Sequence, residues 1–228
     1  MNDTILIKNG WLLTMDPDLS VIEDAAVLIK KGEIRDVGRV DAFKDVEAAQ
    51  TIDAKNHIIM PGLINCHTHL PMSMFRGMAD DLPLDVWLNE HIFPAEAKQV
   101  NPESVKKWSR HSCSEMLLSG TTTCCDGYFH EENVADAVIA SGIRAVTGQG
   151  VIDFPAPGVP DPSKNVAHAV EFVNAQKGRS GRLYPSVFCH SPYTCSKQTL
   201  MAAKKAANEL SVLFQIHVAE TKNELNMV

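Results

Sequence analysis

Hydrophobic and polar positions along the chain follow two rhythms. Over residues 4–57 apolar residues come in short, loosely alternating runs. Thr4 to Met15 alternates and stops at Asp16-Pro17-Asp18, while Ala26 to Ile29 and Ile34 to Val37 flank Lys30-Lys31-Gly32-Glu33. Two such runs about a Gly-containing turn predict a hairpin, within a small β unit that has few helical signals. From residue 58 the rhythm changes to strand, loop, helix. Strands are predicted over 58–66, Thr121 to Asp126, Arg144 to Ile152, Leu183 to Cys189 and Val212 to His217. Helices are predicted near 84–98, 102–119 (entered through Asn101-Pro102-Glu103), 131–141, 163–177 and 196–209, with another from about Thr221. The pattern divides the chain into residues 1–57 and residues 58–228. Repeated β-α units predict parallel strands joined by right-handed crossovers.

Polar, chemically useful residues recur just past the C-terminal ends of these strands: His67, His69, Asp126, Gln149, His190, His217 and Glu220. That is where a (β/α)8 TIM barrel carries its active site. Only about five β-α units are legible, whereas closure takes eight and about 250 residues. An open five-stranded sheet leaves bare edges and apolar faces. The expectation is therefore the N-terminal part of a barrel, completed by a missing C-terminal half in cis or as a second chain.

Composition narrows the partners. With 45% hydrophobic and 21% charged residues the chain has enough apolar content for a core. A net charge of −7 argues against nucleic acid. Lys30-Lys31, Lys106-Lys107 and Lys204-Lys205 are isolated pairs that read as solvated faces. No apolar run approaches the roughly 20 residues that span a bilayer, and Met1-Asn2-Asp3-Thr4 lacks a basic export signal. A cytoplasmic protein without membrane contact is expected, and homo-oligomerisation stays open. The six cysteines show no CxxC spacing and read as reduced, mostly buried thiols.

The strongest chemical feature is His67-Thr68-His69, closing the run Ile58-Ile59-Met60-Pro61-Gly62-Leu63-Ile64-Asn65-Cys66. Side chains two apart on a strand share a face, so both imidazoles leave the strand end together. His217, at the end of Val212-Leu213-Phe214-Gln215-Ile216, supplies a third nitrogen. Three neutral imidazoles suit Zn²⁺, and also Fe²⁺ or Ni²⁺. Three protein ligands leave a position for water, whose pKa a catalytic zinc lowers to about 7. Glu220, three residues past His217, is placed to move a proton there. His190 is a candidate substrate partner or fourth metal neighbour. Trp87 offers a face for a flat ring and Glu96 an acceptor for sugar hydroxyls, although composition alone reads them as a core Trp and a solvated Glu on a helix. His57, His91, His111 and His168 join no constellation. His130-Glu131-Glu132 contains His-x-Glu, but no Pro-Cys-x-x-Cys follows, which removes the cytidine-deaminase type of zinc site.

Taken together these segments resemble the amidohydrolase superfamily, and within it the 5-methylthioadenosine/S-adenosylhomocysteine deaminases. The resemblance covers all 228 residues. It rests on Pro61-Gly62-Leu63-Ile64-Asn65-Cys66-His67-Thr68-His69, Met74-Phe75-Arg76-Gly77, Gly120-Thr121-Thr122-Thr123, Gly142-Ile143-Arg144-Ala145-Val146, His190-Ser191-Pro192-Tyr193-Thr194-Cys195-Ser196 and His217-Val218-Ala219-Glu220. It implies a metal-dependent barrel plus a β-sandwich built from both chain ends, with residues 1–57 as the sandwich's first part. His67, His69 and His217 would bind one divalent metal, most simply Zn²⁺. Glu220 would shuttle protons to a purine ring nitrogen, His190 would contact substrate, Glu96 the ribose hydroxyls and Trp87 the adenine face. An aminopurine nucleoside would lose ammonia and leave as the inosine analogue. Guanine or cytosine deaminases and triazine hydrolases of the same superfamily share the His-x-x-Glu pattern. Two departures stand out. Gln149 occupies the strand-three place where the family carries an arginine against the substrate's distal part, and Gln cannot pair with a carboxylate as arginine does. A histidine and a metal-binding aspartate from later strands lie beyond Val228.

Overall fold

The computed structural model describes residues 3–222 and 224. The chain folds as two compact units, one ending at Gly62 and the other beginning at Leu63.

The first unit is a five-stranded sheet. β1 (Thr4–Leu13), β2 (Val21–Lys30) and β3 (Glu33–Arg39) form an antiparallel meander. β4 (Gln50–Asp53) and β5 (Ile58–Ile59) then pair parallel to β1. The hairpin turn has Lys31 at φ 54° and Gly32 at φ 75°. Two successive left-handed residues make the turn whose twist matches that of the flanking strands. Leu6, Ala26 and Phe43 bury one side of the sheet, and Leu12, Ala25 and Val27 form a second cluster.

The second unit is a partial (β/α)8 barrel. β6 (Leu63–Thr68), β7 (Thr121–Tyr128), β8 (Arg144–Val151), β9 (Leu183–Cys189) and β10 (Phe214–Ile216) pair in chain order, all parallel. After β6 the chain makes a 3₁₀ turn, Leu70–Phe75. A composite helix follows: α1 (Leu84–Val86), a π-helical stretch (Trp87–Ile92) and α2 (Phe93–Gln99). α3 (Pro102–Leu118) starts in a capping box, where Asn101 Oδ1 accepts from Ser104 N–H and Ser104 Oγ accepts from Asn101 N–H, each at 3.0 Å. α4 (Glu131–Ser141), α5 (Asn165–Gln176) and α6 (Lys197–Glu209) complete the β-α units. Val105, Cys113, Val134, Val138 and Ala145 form a buried cluster between α3, α4 and the sheet. Val151, Ala169, Val173, Val187 and Ala203 form another against α5 and α6.

Inside the sheet's curve, glycines make room for one ring. A Cβ on Gly127 would lie 2.5 Å from Phe188 Cδ1, and one on Gly148 would lie 2.7 Å from Phe188 Cβ. Phe188 therefore fills space that neighbouring strands leave bare.

The predicted first strand, 58–66, is two elements. Ile58–Ile59 joins the first unit's sheet and Leu63 begins the barrel, with Pro61-Gly62 between them. A proline lacks the ladder donor, which explains the break. The last strand is shorter than Val212 to His217, and the helix expected from Thr221 lies mostly outside the described residues.

Candidate metal centre and substrate cavity

His67 and His69 leave the end of β6, and His217 leaves the end of β10. Their reactive nitrogens converge: His67 Nε2 lies 3.3 Å from His69 Nε2 and 3.2 Å from His217 Nε2. One ligand atom from each histidine falls within 4.8 Å of the others, a grouping suited to a metal ion.

The tautomer of His69 follows from its neighbours. Nδ1 sits 2.5 Å from the Gly127 carbonyl oxygen. A carbonyl only accepts, so Nδ1 carries the proton and Nε2 presents a lone pair to the centre. Burial, reinforced by the neighbouring imidazoles, lowers the pKa of His69 to about 4 despite the Gly127 bond, so the ring is neutral at pH 7. Burial likewise lowers His190 to about 3 and pushes His217 down, the latter opposed by Glu220. Nitrogens packed this closely have too few N–H donors to satisfy one another, and neutral imidazoles form the donor set that a borderline cation such as zinc prefers. The residues present therefore fit a metal. His217 Nδ1 is buried with no hydrogen-bond partner among the described residues.

Beside the histidines lies an inner cavity of about 100 Å³. Its lining includes His69, His217, Trp87, Glu96, His190 and Glu220. It shares Leu84, Leu88, Phe93, Tyr193 and Glu220 with an outer groove of about 970 Å³, where Phe93 and Phe154 pack edge to face at 5.5 Å. The inner cavity alone is smaller than a nucleoside site, while the outer groove it opens into has a volume at the upper end of the range for small-molecule sites.

Trp87 Nε1 donates to the Met78 carbonyl at 3.2 Å, which fixes the indole. Glu96 is not the solvated acid that composition suggested. It is buried, and the Tyr128 hydroxyl donates to its Oε1 at 2.6 Å. Burial raises its pKa to about 7 against the lowering effect of that bond. His190 Nδ1 lies 3.2 Å from Ser191 Oγ and 3.0 Å from Thr194 Oγ1. The Tyr193 hydroxyl donates to Glu220 Oε2 at 2.7 Å. The Glu220 and Ala219 amides donate to the Glu224 carboxylate at 2.8 and 2.9 Å, holding the loop after β10.

Gln149 is the exception among the residues expected to contact substrate. It does not line this cavity: Gly150 and Val151 do, while Gln149 borders a separate pocket with His130, His168 and Glu171. Its Oε1 accepts from Glu131 N–H at 3.1 Å, at the start of α4. The strand pleat turns it toward the helices, which corrects its expected contact with substrate. Sequence reasoning also passed over Tyr128 and Tyr193, each holding a site carboxylate. Tyr128 stands two residues past Asp126 on the same strand, and Tyr193 lies within the His190 segment; both signals were present but carried no motif of their own.

A sequence profile described as "Amidohydrolase family" matches residues 58–228. The chain is 42% identical over 229 residues to the 5-methylthioadenosine/S-adenosylhomocysteine deaminase of Thermodesulfovibrio yellowstonii, covering 99% of this chain and 52% of that protein. It is 44% identical over 225 residues to the 5'-deoxyadenosine deaminase of Methanocaldococcus jannaschii, covering 98% and 51%. Among solved structures, an adenosine deaminase from Xanthomonas campestris with bound zinc superposes with a TM-score of 0.92 at 34% identity, covering 97% of this chain and 51% of that one. The chain thus spans about half the length of the curated relatives it matches.

Proposed function

The chain belongs to the amidohydrolase family, and we propose that it is the N-terminal portion of a zinc-dependent hydrolytic deaminase of 6-aminopurine nucleosides altered at the 5' position. The observation that carries this reading is the convergence of the three histidine Nε2 atoms beside one cavity that also holds Glu96 and Glu220. Relatives named for methylthioadenosine, S-adenosylhomocysteine and 5'-deoxyadenosine support the substrate class, and the relative with bound zinc supports the metal.

In this reading His67, His69 and His217 hold the cation. A divalent ion there supplies Lewis acidity and an activated water. Tyr193 occupies Glu220 Oε2, so Oε1 is the oxygen free to take a proton and return it to the purine ring. Trp87, fixed by Met78, covers the base, while Glu96 accepts from the ribose hydroxyls and His190 holds the substrate through a neutral ring. Residues 1–57 form one part of a sandwich that a later segment completes, and later strands add the remaining metal ligands. Among the described residues no arginine or lysine from β8 lines the cavity, to which the strand contributes Gly150 and Val151. Lys222, in the outer groove, is the one cation among that groove's described lining residues. Without an arginine from β8 this reading prefers an uncharged 5' group, and a carboxylate-bearing one would depend on Lys222.

The test is ammonia release by the full-length protein with zinc, across a panel of 6-aminopurine nucleosides, guanine, cytosine and aminotriazines. Turnover of methylthioadenosine or 5'-deoxyadenosine, with S-adenosylhomocysteine slower, is expected. Activity confined to free bases or triazines, or no turnover of any nucleoside, overturns the proposal.

A further inference from the structure

Asp126 and Glu131 are fully buried acids that the proposed chemistry does not use. Asp126 lies on β7 opposite Thr68. Its Oδ1 accepts from the Thr68 hydroxyl and from Leu70 N–H, each at 2.7 Å. Those two residues bracket His69, and Thr68 separates it from His67. One carboxylate oxygen thus grips the backbone turn that carries both histidines. The Thr68 hydroxyl also lies 2.9 Å from the Cys125 carbonyl oxygen, but it has one proton, and the shorter, charge-assisted contact takes it.

The grip is anchored from behind. Glu131, the first residue of α4, sets its buried carboxylate against that of Asp126; burial, helped by the Asp126 charge, raises its pKa. Glu131 Oε1 accepts from Gly148 N–H at 3.2 Å, and Glu131 N–H donates to Gln149 Oε1 at 3.1 Å. Asp126 Oδ2 and Glu131 Oε2 have no donor among the described residues. Two buried carboxylates cannot both stay charged and unpaired, and a single shared proton satisfies both oxygens. Burial raises the pKa of both acids, consistent with one retained proton.

We propose that Asp126, backed by Glu131, is a positioning residue for the metal centre: the acid pair ties β6 to β7, α4 and β8 and fixes the direction in which His67 and His69 present their nitrogens. This rests on the metal-binding reading of those histidines, but not on the identity of the substrate.

The experiment is zinc affinity of the full-length protein by chelator competition, with the visible spectrum of the cobalt-substituted form, in Thr68→Val, Asp126→Asn and Glu131→Gln. Thr68→Val removes one donor at nearly constant shape, and Asp126→Asn weakens both bonds by removing the charge. Each is expected to weaken zinc binding about 10- to 100-fold, the usual effect of losing a partner behind a metal ligand, and to shift the cobalt spectrum. Glu131→Gln mimics the protonated acid and is expected to leave zinc affinity within about threefold of the parent. Unchanged affinity and spectrum in Thr68→Val, with only the melting temperature lowered, would show a merely structural role and overturn the proposal. That variant also stands alone if Asp126→Asn fails to fold. Failure of the parent protein to bind zinc would instead refute the metal reading itself.

Discussion

At the residue scale, Glu96 shows how placement remakes a side chain. In water its carboxyl titrates near 4.5; in the cavity, burial lifts it to about 7. A group whose folded pKa is raised contributes fully below its unfolded value, and that contribution is lost as pH rises through the folded value. Glu96 should therefore cost the fold increasing stability between about pH 4.5 and 7, approaching about 3 kcal/mol when fully ionised. Replacing it by Gln should flatten this part of the stability–pH curve, as denaturant unfolding at several pH values would show. A variant that keeps the parent's full slope over that interval would refute the assignment. The burial of Glu96 was not legible in the sequence. Trp87 and Glu96 are nine residues, about two and a half α-helical turns, apart, which on a regular helix sets them on opposite faces. The π-helical stretch between them, closed by Phe93 N–H donating to the Leu88 carbonyl, widens the turns and lets both line one cavity. Pro94 lacks the donor that an α-helical ladder requires next. Gln149 misled for a related reason. β8 is buried on both faces after its first residues, so it shows no hydrophobic alternation from which to read which side a polar residue takes.

At the scale of elements, the barrel strands depend on where glycine is placed as much as on where valine is. Gly127 lies against the ring of Phe188, and its carbonyl holds His69. Gly127→Ala should lower stability by about 1–3 kcal/mol through overpacking, read as a drop in melting temperature. Adding Phe188→Leu should recover part of that loss, because the clash is with the ring; additive losses in the double variant would refute this packing account. The elements themselves were largely legible. Four of the five barrel strands, and the expected helices that lie within the described residues, fall within a few residues of expectation, because each apolar run is bounded by Gly, Pro or a capping residue such as Asn101. The first strand was misread because Ile58-Ile59-Met60 and Leu63-Ile64 form one apolar stretch in sequence, while pairing assigns Ile58–Ile59 to β1 of the first unit. The convergence of His67, His69 and His217 was legible because a rare residue type recurs at fixed strand ends. Asp126 was legible as a polar residue at a strand end, but its pairing with Glu131 was not, because a buried acid and a solvated one look alike in sequence.

For the molecule as a whole, the sheet in the second unit ends in β6 on one side and β10 on the other, and each pairs with a single neighbour among the described residues. Leu63, Ile64, Leu213 and Val218 lie exposed on or beside these edge strands. Edge strands that keep open backbone donors and acceptors beside apolar side chains pair readily with other chains. In a closed barrel of this type, strands from the remainder of the chain would cover both edges. Produced as residues 1–228 alone, the chain should therefore bind a hydrophobic dye and associate as concentration rises, which light scattering would follow. The full-length protein should not bind the dye. Lysines introduced at Ile64 and Leu213 should reduce association of the isolated segment, since charge on an edge strand opposes edge-to-edge pairing. A dye-silent, monodisperse 1–228 segment would mean that these edges are covered in some other way, and the barrel-completion argument would fall with that result.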